Sequence, residues 1–523
     1  MSSGAGEPTT APARRSRSVV VAAVAVGAVL AVSLVLRVVT SSNLWLDEAL
    51  SVNIARVPLS DLPRVLERDG APPLYYVLLH FWMLAFGEGN TAVRALSGVI
   101  SVATFPAMYF AGRRLGGRYA AWAAVLVFAT APYSFRYATE TRMYALVMFL
   151  VAWGYLAVVR ALERPSLGRG ALVALVVAAL LYTHNWSYYL LATVGIVMLV
   201  RAWRGGTAHE RRSARWVIAA MVVGGLAYVP WLPTVWYQLG HTGTPWGDPR
   251  LPWSGFAAFV GQFSGIGRPF HGAAYGYVLL AAALPLLALF GAAVDARHVD
   301  LDLRTRPVVR RELVVGVGSI TLGLVLSYAS GTAFDGRYAS IGAPLLMLAM
   351  AMGTLVFADS RVRIGVLSAL LAAGIVGGVR NVQDQRTQAG EVAAVIGAEA
   401  QPGDVVVYCP DQLGPSVHRV LGGARGLDEV TFPALSGPKR VNWVDYRQRI
   451  DATDTDNVAR RILERADGAR IWYVVSLGYR SVEGRCEELG AAIGARRPEL
   501  RVRVQFDDVN FFDFMGLTEY PAS

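Results

Sequence analysis

Apolar spans of membrane-crossing length recur along this chain, separated by short polar breaks. We place them near 19–39, 93–112, 119–134, 142–160, 170–183, 187–202, 215–234, 273–293, 312–330, 338–357 and 363–379, about eleven in all. A perpendicular crossing needs ~20 residues, so several of these are short. In lipid, every backbone polar group must be satisfied within the segment, so such spans fold as helices. Composition agrees. The chain of 523 residues is 54% hydrophobic and only 17% charged, where soluble domains are about a quarter charged.

The charge is distributed as a membrane protein distributes it. Formal net charge is +11, and Lys439 is the only lysine. Nucleic-acid binding explains this poorly, because the arginines fall in short clusters between apolar spans. Arg14, Arg15 and Arg17 put the N-terminus inside, and residues 1–18 read as a disordered cytoplasmic tail. The following span reads as a retained anchor. The clusters at 113–118, 160–169, 201–215, 297–311 and 361–363 are also expected inside. That alternation requires the segment from Pro72 to Phe86, with Tyr75, Tyr76, His80 and Trp82, to lie on the outer surface as a helix without crossing. The outer loops are then 40–92, 135–141, 184–186, 235–272 and 331–337, with everything after about 380. Every candidate for chemistry falls on that face.

The first outer loop opens with Asn43-Leu44-Trp45-Leu46-Asp47-Glu48-Ala49, two adjacent carboxylates on an apolar platform. Ionisable residues at a membrane boundary are costly and usually functional. The plain alternative is a solvated acidic loop. Leu44 to Ala49, followed by Asp69-Gly70-Ala71-Pro72-Pro73-Leu74-Tyr75-Tyr76, resembles the first outer loop of type C glycosyltransferases. The resemblance is to the bacterial branch similar to protein O-mannosyltransferases and aminoarabinose transferases, and it covers roughly the first 350 residues. It implies a polytopic fold, a polyprenyl-phosphate sugar as donor, and an essential acidic residue in the first loop. The expected module spans 19–380, with its catalytic loop at 40–92.

Under that resemblance Asp47 is the candidate base, with Glu48 orienting the acceptor, ligating a metal or taking the base role. The carboxylates are adjacent, so one primary and one supporting role are expected. Glu140 and Arg142, in Ala138-Thr139-Glu140-Thr141-Arg142, match a family segment that faces the first loop. Arg142 would hold Asp47 or bind phosphate, and otherwise is an interfacial arginine. His184, in Thr183-His184-Asn185-Trp186, would hydrogen-bond sugar or phosphate, and otherwise caps a helix. Arg337 and Tyr338, in Phe334-Asp335-Gly336-Arg337-Tyr338, match an Arg-Tyr pair whose arginine meets the lipid phosphate. Tyr75 is a further substrate-binding candidate. Trp236, Trp246, Trp253, Phe256 and Phe263 in the 235–272 loop suit acyl chains, sugar rings or a membrane-interface belt alike.

No nucleotide-binding motif stands out, and no zinc-type Cys/His spacing is present. A divalent metal is an open expectation, and no other cofactor is. After Gly378 the character changes. Strands are expected at 405–408, 472–476 and 501–506, and helices at 391–399, 454–466 and 482–496, giving an extracytoplasmic α/β domain over 381–523. Cys409 and Cys486 would sit there either disulfide-bonded or as two buried thiols. Asp411 and Gln412 end its first strand, where α/β sheets place functional loops. The expected whole is a multi-pass protein of a bacterial plasma membrane. It would transfer mannose, or next arabinofuranose, to an envelope glycan, glycolipid or secreted protein. The alternative is a lipid-linked-sugar transporter or a non-catalytic assembly factor of the same fold.

Overall fold

A computed structural model of the chain describes residues 17–243, 247–265, 272–304, 308–423, 426–477 and 479–523. Most of the N-terminal tail, and Trp246, lie outside the described residues. Among the described residues, six stretches are long and apolar enough to cross a membrane: Val19–Leu36, Asn90–Thr130, Tyr144–Glu163, Ala208–His241, Arg310–Ala329 and Ser360–Gln383. Four shorter apolar helices accompany them, at Leu74–Phe86, Leu167–Leu181, Ala274–Phe290 and Ala343–Val356. The count of about eleven therefore does not translate into eleven long helices. The helix Ser187–Arg204 carries basic residues in its last turn, and the region expected at 338–357 is broken into a helix flanked by 3-10 turns.

The stretch 90–130 is bent back on itself. Gly117 has φ +75 and ψ −159, a conformation that side chains with a Cβ rarely adopt. Nearby, a Cβ on Gly112 would stand 2.4 Å from the carbonyl oxygen of Ala120. The turn and the contact make a tight hairpin, which is how the spans expected at 93–112 and 119–134 run in opposite directions. Where the first span ends, buried Arg37 reaches Ser33, Ser101, Ser134 and the carbonyl of Ala129 at 2.5–3.1 Å. That arginine satisfies polar groups of three segments at once.

The first loop folds into three helices, Leu46–Ala55, Leu62–Asp69 and Leu74–Phe86. The last of these is the helix expected at 72–86. It buries Tyr75, Tyr76, Leu79 and Met83 and exposes Leu78, Phe81, Leu84 and Phe86, an apolar outward stripe suited to lipid.

The C-terminal region forms a five-stranded sheet in the order Asp428–Thr431, Val405–Cys409, Ile471–Val475, Gly516–Tyr520, Arg501–Val504. The first three strands are parallel and the other pairings antiparallel. Strands 405–409 and 471–475 are buried on both faces, as central parallel strands are. Strands 428–431 and 516–520 were not expected from the sequence; their alternation is short and interrupted by polar residues. Cys409 and Cys486 are disulfide-bonded, which closes the alternative of two thiols. The core on one sheet face includes Trp45 and Leu46 together with Val405, Val407 and Ile471. Thus the C-terminal sheet sits directly on the first loop.

Candidate active site

The two carboxylates of the first loop open the helix Leu46–Ala55, in the first turn, where its dipole favours negative charge. Consecutive helical residues are about 100° apart around the axis, so the two side chains diverge. Glu48 points into protein. It is fully buried and receives Arg94 through both oxygens, Nε at 2.7 Å and Nη2 at 2.5 Å. The backbone N–H of Thr141 donates to it at 2.9 Å, and Arg386 Nη1 lies 3.6 Å away. Burial pushes the Glu48 carboxyl up, but the charge and hydrogen bonds of Arg94, with Arg386 and the Thr141 N–H, outweigh it and hold it down at about 2.

Asp47 points the other way, into a cavity of about 520 Å³. Its Oδ2 accepts from Arg337 Nη1 at 2.5 Å and lies 3.7 Å from Arg142 Nε. All three side chains are only 14–15% exposed. Arg142 also donates from Nη1 to Ser51 Oγ at 3.2 Å and to the Tyr76 hydroxyl at 3.4 Å. Arg337 is fixed from behind. The Asp335 side chain caps its backbone N–H at 3.0 Å, and the Tyr133 hydroxyl donates to the carbonyls of Gly336 and Arg337 at 2.9 and 3.1 Å. A Cβ on Gly336 would stand 2.8 Å from Gln262 Oε1, and the same Gln262 donates to Asp335 at 3.0 Å. The small residue lets Gln262 hold the capping aspartate.

His184 lines the same cavity. Its Nδ1 accepts the Trp186 N–H at 3.0 Å, which leaves the proton on Nε2. Burial, then Arg142 and Arg337, push its imidazole down to about 3. A neutral His184 is a hydrogen-bond donor here and no proton reservoir. Tyr338 stacks on Trp186 at 5.3 Å and 29°, giving an aromatic wall suited to a sugar ring or an isoprenoid.

The cavity thus gathers Asp47, Arg142, His184, Arg337 and Tyr338 from four separate segments. Glu48, Glu140 and Tyr75 are not among its lining. Glu140 is buried and pairs with Arg136 at 3.2 Å, and the buried Tyr75 hydroxyl meets Ser97 at 3.2 Å. For Glu48 the metal-ligand and base expectations find no open coordination, because its oxygens are already held by arginine. Among the described residues, no three His, Cys, Asp or Glu side chains converge so as to hold a metal ion.

Several lining residues were not named as site residues from the sequence, although Asp69 belongs to the first-loop motif and Gln412 to the strand-end loop. Asp69 lines the cavity and accepts from Tyr76 at 3.1 Å. Burial pushes it up to about 6, against the pull of Arg142. From the C-terminal sheet come Gln412, Trp443, Ser476, Tyr479 and Asp513. Asp513 accepts from Tyr479 and Thr387 at 2.9 Å each, and from the Leu46 N–H at 3.4 Å. Burial pushes it up to about 6. The one available signal for these was the strand-end loop at Asp411-Gln412.

No protein-family model matches the chain, and no curated protein matches it. Solved structures do. The crystal structure of ArnT from Cupriavidus metallidurans bound to undecaprenyl phosphate aligns with a TM-score of 0.58 at 13% identity, over 97% of this chain and 98% of that one. The apo structure of ArnT from the same organism aligns with a TM-score of 0.59 at 13% identity, over 96% and 98%. At that identity the match shows a shared fold alone.

Proposed function

We propose that this chain is an integral membrane glycosyltransferase that moves one sugar from a polyprenyl-phosphate donor to an acceptor in the cell envelope. One observation carries the reading: among the carboxylates that line the cavity, Asp47 is the one held between two guanidiniums, Arg337 and Arg142. Transfer from a lipid phosphate asks for these parts together. A base must take the proton of the acceptor hydroxyl, cations must stabilise the departing phosphate, and water must be kept out.

The resting pairs suggest an order of events. Without donor, Asp47 is shared between both arginines and leaves one positive charge of the pair uncompensated by it. A phosphate between them offers the same guanidiniums a second anion and bidentate bonds. As they turn to the phosphate, Asp47 is released to accept the acceptor proton. Neutral His184 and the Tyr338–Trp186 stack then contact the sugar or the first isoprenes. The C-terminal sheet closes the opposite wall and presents Gln412, Tyr479 and Ser476 to the acceptor. By the arginine-rich loops the cavity faces outward, across a bacterial plasma membrane.

Mannose is the favoured sugar and arabinofuranose the next, by resemblance of the first loop. The acceptor is an envelope glycan, a glycolipid or a secreted protein. Purified protein incubated with labelled polyprenyl-phosphate mannose and its arabinofuranose counterpart, with envelope extract as acceptor, tests both activity and sugar. Label reaching the acceptor only from one donor assigns the sugar. Donor bound and released unchanged would favour a carrier or assembly factor of the same fold.

A further inference from the structure

A larger cavity than the catalytic one lies elsewhere in the molecule. A groove of about 1070 Å³, roughly twice the size of the catalytic cavity, runs between the helices 144–163, 167–181, 187–204 and 310–329. Its upper walls are apolar, with Val151, Val176, Leu180 and Leu190. Its mouth is at the far end of the same helices. Helix Tyr144–Glu163 gives Tyr144 to the catalytic cavity and Glu163 to this mouth. Helix Ser187–Arg204 gives Tyr188 and Tyr189 to the first, and Arg201 and Arg204 to the second. The mouth therefore opens on the membrane face opposite the catalytic cavity.

The charges at the mouth are unevenly matched. Arg114 pairs with Glu163, Arg201 pairs with Glu210 at 3.2 Å, and Glu312 is taken by the Tyr155 hydroxyl at 2.8 Å. Glu312 keeps its charge in that bond, so four arginines line the groove against three acids, two of which are already paired to Arg114 and Arg201. Arg204 and Arg311 also line it, both exposed, and among the described residues neither has an acidic partner. The buried Nε of Arg201 likewise has no hydrogen-bond partner. A hydrocarbon slot that ends in an excess of positive charge, with Arg204 and Arg311 exposed at the level of a leaflet surface, is complementary to acyl chains under an anionic head. A polyprenyl tail entering from the catalytic side would leave those cations without a counter-charge, since its far end is hydrocarbon.

We propose that this groove binds an anionic glycerophospholipid of the leaflet opposite the active site, with Arg204 and Arg311 on its phosphate head. The inference does not depend on the transferase reading. The full chain, extracted from vesicles of equal phosphatidylglycerol and phosphatidylcholine, is tested by native mass spectrometry for retained lipid. Phosphatidylglycerol should be retained preferentially. The preference should fall roughly fivefold for each arginine removed in Arg204→Gln and Arg311→Gln, the factor worth about 1 kcal/mol per interfacial cation. Val194→Trp, which fills the groove from its wall, should abolish retention while the arginines remain. Unaltered thermal unfolding of the two glutamine variants would establish that the fold is kept. Equal retention of both lipids, or a preference unchanged in the double arginine variant, would overturn the proposal. So would polyprenyl phosphate displacing phosphatidylglycerol from the wild type but failing to bind Val194→Trp, which would give the groove to the donor chain.

Discussion

Asp47 and Arg337, 290 residues apart in sequence, meet through a 2.5 Å hydrogen bond between Oδ2 and Nη1. The bond joins the first loop to the short 3-10 segment Gly336–Ile341 that precedes helix Ala343–Gly353. It places the only carboxylate of the acidic pair that reaches the cavity against the cation proposed for the donor phosphate.

Asp47→Asn should stop transfer while leaving donor binding in place. Asparagine keeps the shape and an acceptor oxygen for Arg337, but cannot take a proton. Loss of a general base costs ~10²–10⁴-fold in rate. Turnover by the purified variant, alongside retention of labelled donor, separates the two effects. Near wild-type turnover would exclude Asp47 as the base.

Arg337→Ala and Arg142→Ala should weaken donor use more than acceptor use. Each removes a charge-assisted contact worth about 1.5–3 kcal/mol, on the order of 10- to 100-fold in donor KM. Initial rates at varied donor and fixed acceptor, then the reverse, resolve this. Equal changes in both KM values would make these arginines general supports of the cavity.

Glu48→Gln should act on stability first. It leaves Arg94 and Arg386 buried without their shared anion, and breaking such a buried pair costs about 3–5 kcal/mol. The pH dependence has a definite sign. The Glu48 carboxyl is held down at about 2, so its stabilisation is present above the usual ~4.3 and is lost as pH falls toward 2. Asp411 should behave oppositely. It is buried beside Tyr446 and pushed up to about 7, so its contribution is present below ~3.9 and is lost as pH rises through 7. Thermal unfolding at pH 5 and pH 8 should show Asp411→Asn gaining on wild type at the higher pH. Parallel curves for the two proteins would dismiss the assignment.

A cysteine introduced as Asp451→Cys tests the orientation. Asp451 is exposed on the C-terminal domain, and the native Cys409 and Cys486 are bonded to each other, so the new thiol is alone. An impermeant maleimide should label it in cells whose outer barrier alone has been permeabilised. Labelling only after lysis would put the domain and the cavity on the inner side.

The sequence by itself determined the helical membrane architecture, because hydrocarbon leaves the backbone no other option over runs of apolar residues. It also marked where polar chemistry interrupts those runs: Arg142, His184 and Arg337 each stand at the end of an apolar span, and Asp47 stands in the loop after the first, a local signal. Only the tertiary structure decided what those residues face. One step along a helix turns Asp47 into the cavity and Glu48 into a buried cluster with Arg94, Thr141 and Arg386, and adjacency in sequence carries no such direction. The wall built by Gln412, Tyr479 and Asp513 arises because Trp45 and Leu46 join the core of the C-terminal sheet. That packing forms between groups hundreds of residues apart, so it left no periodic pattern in the chain to read.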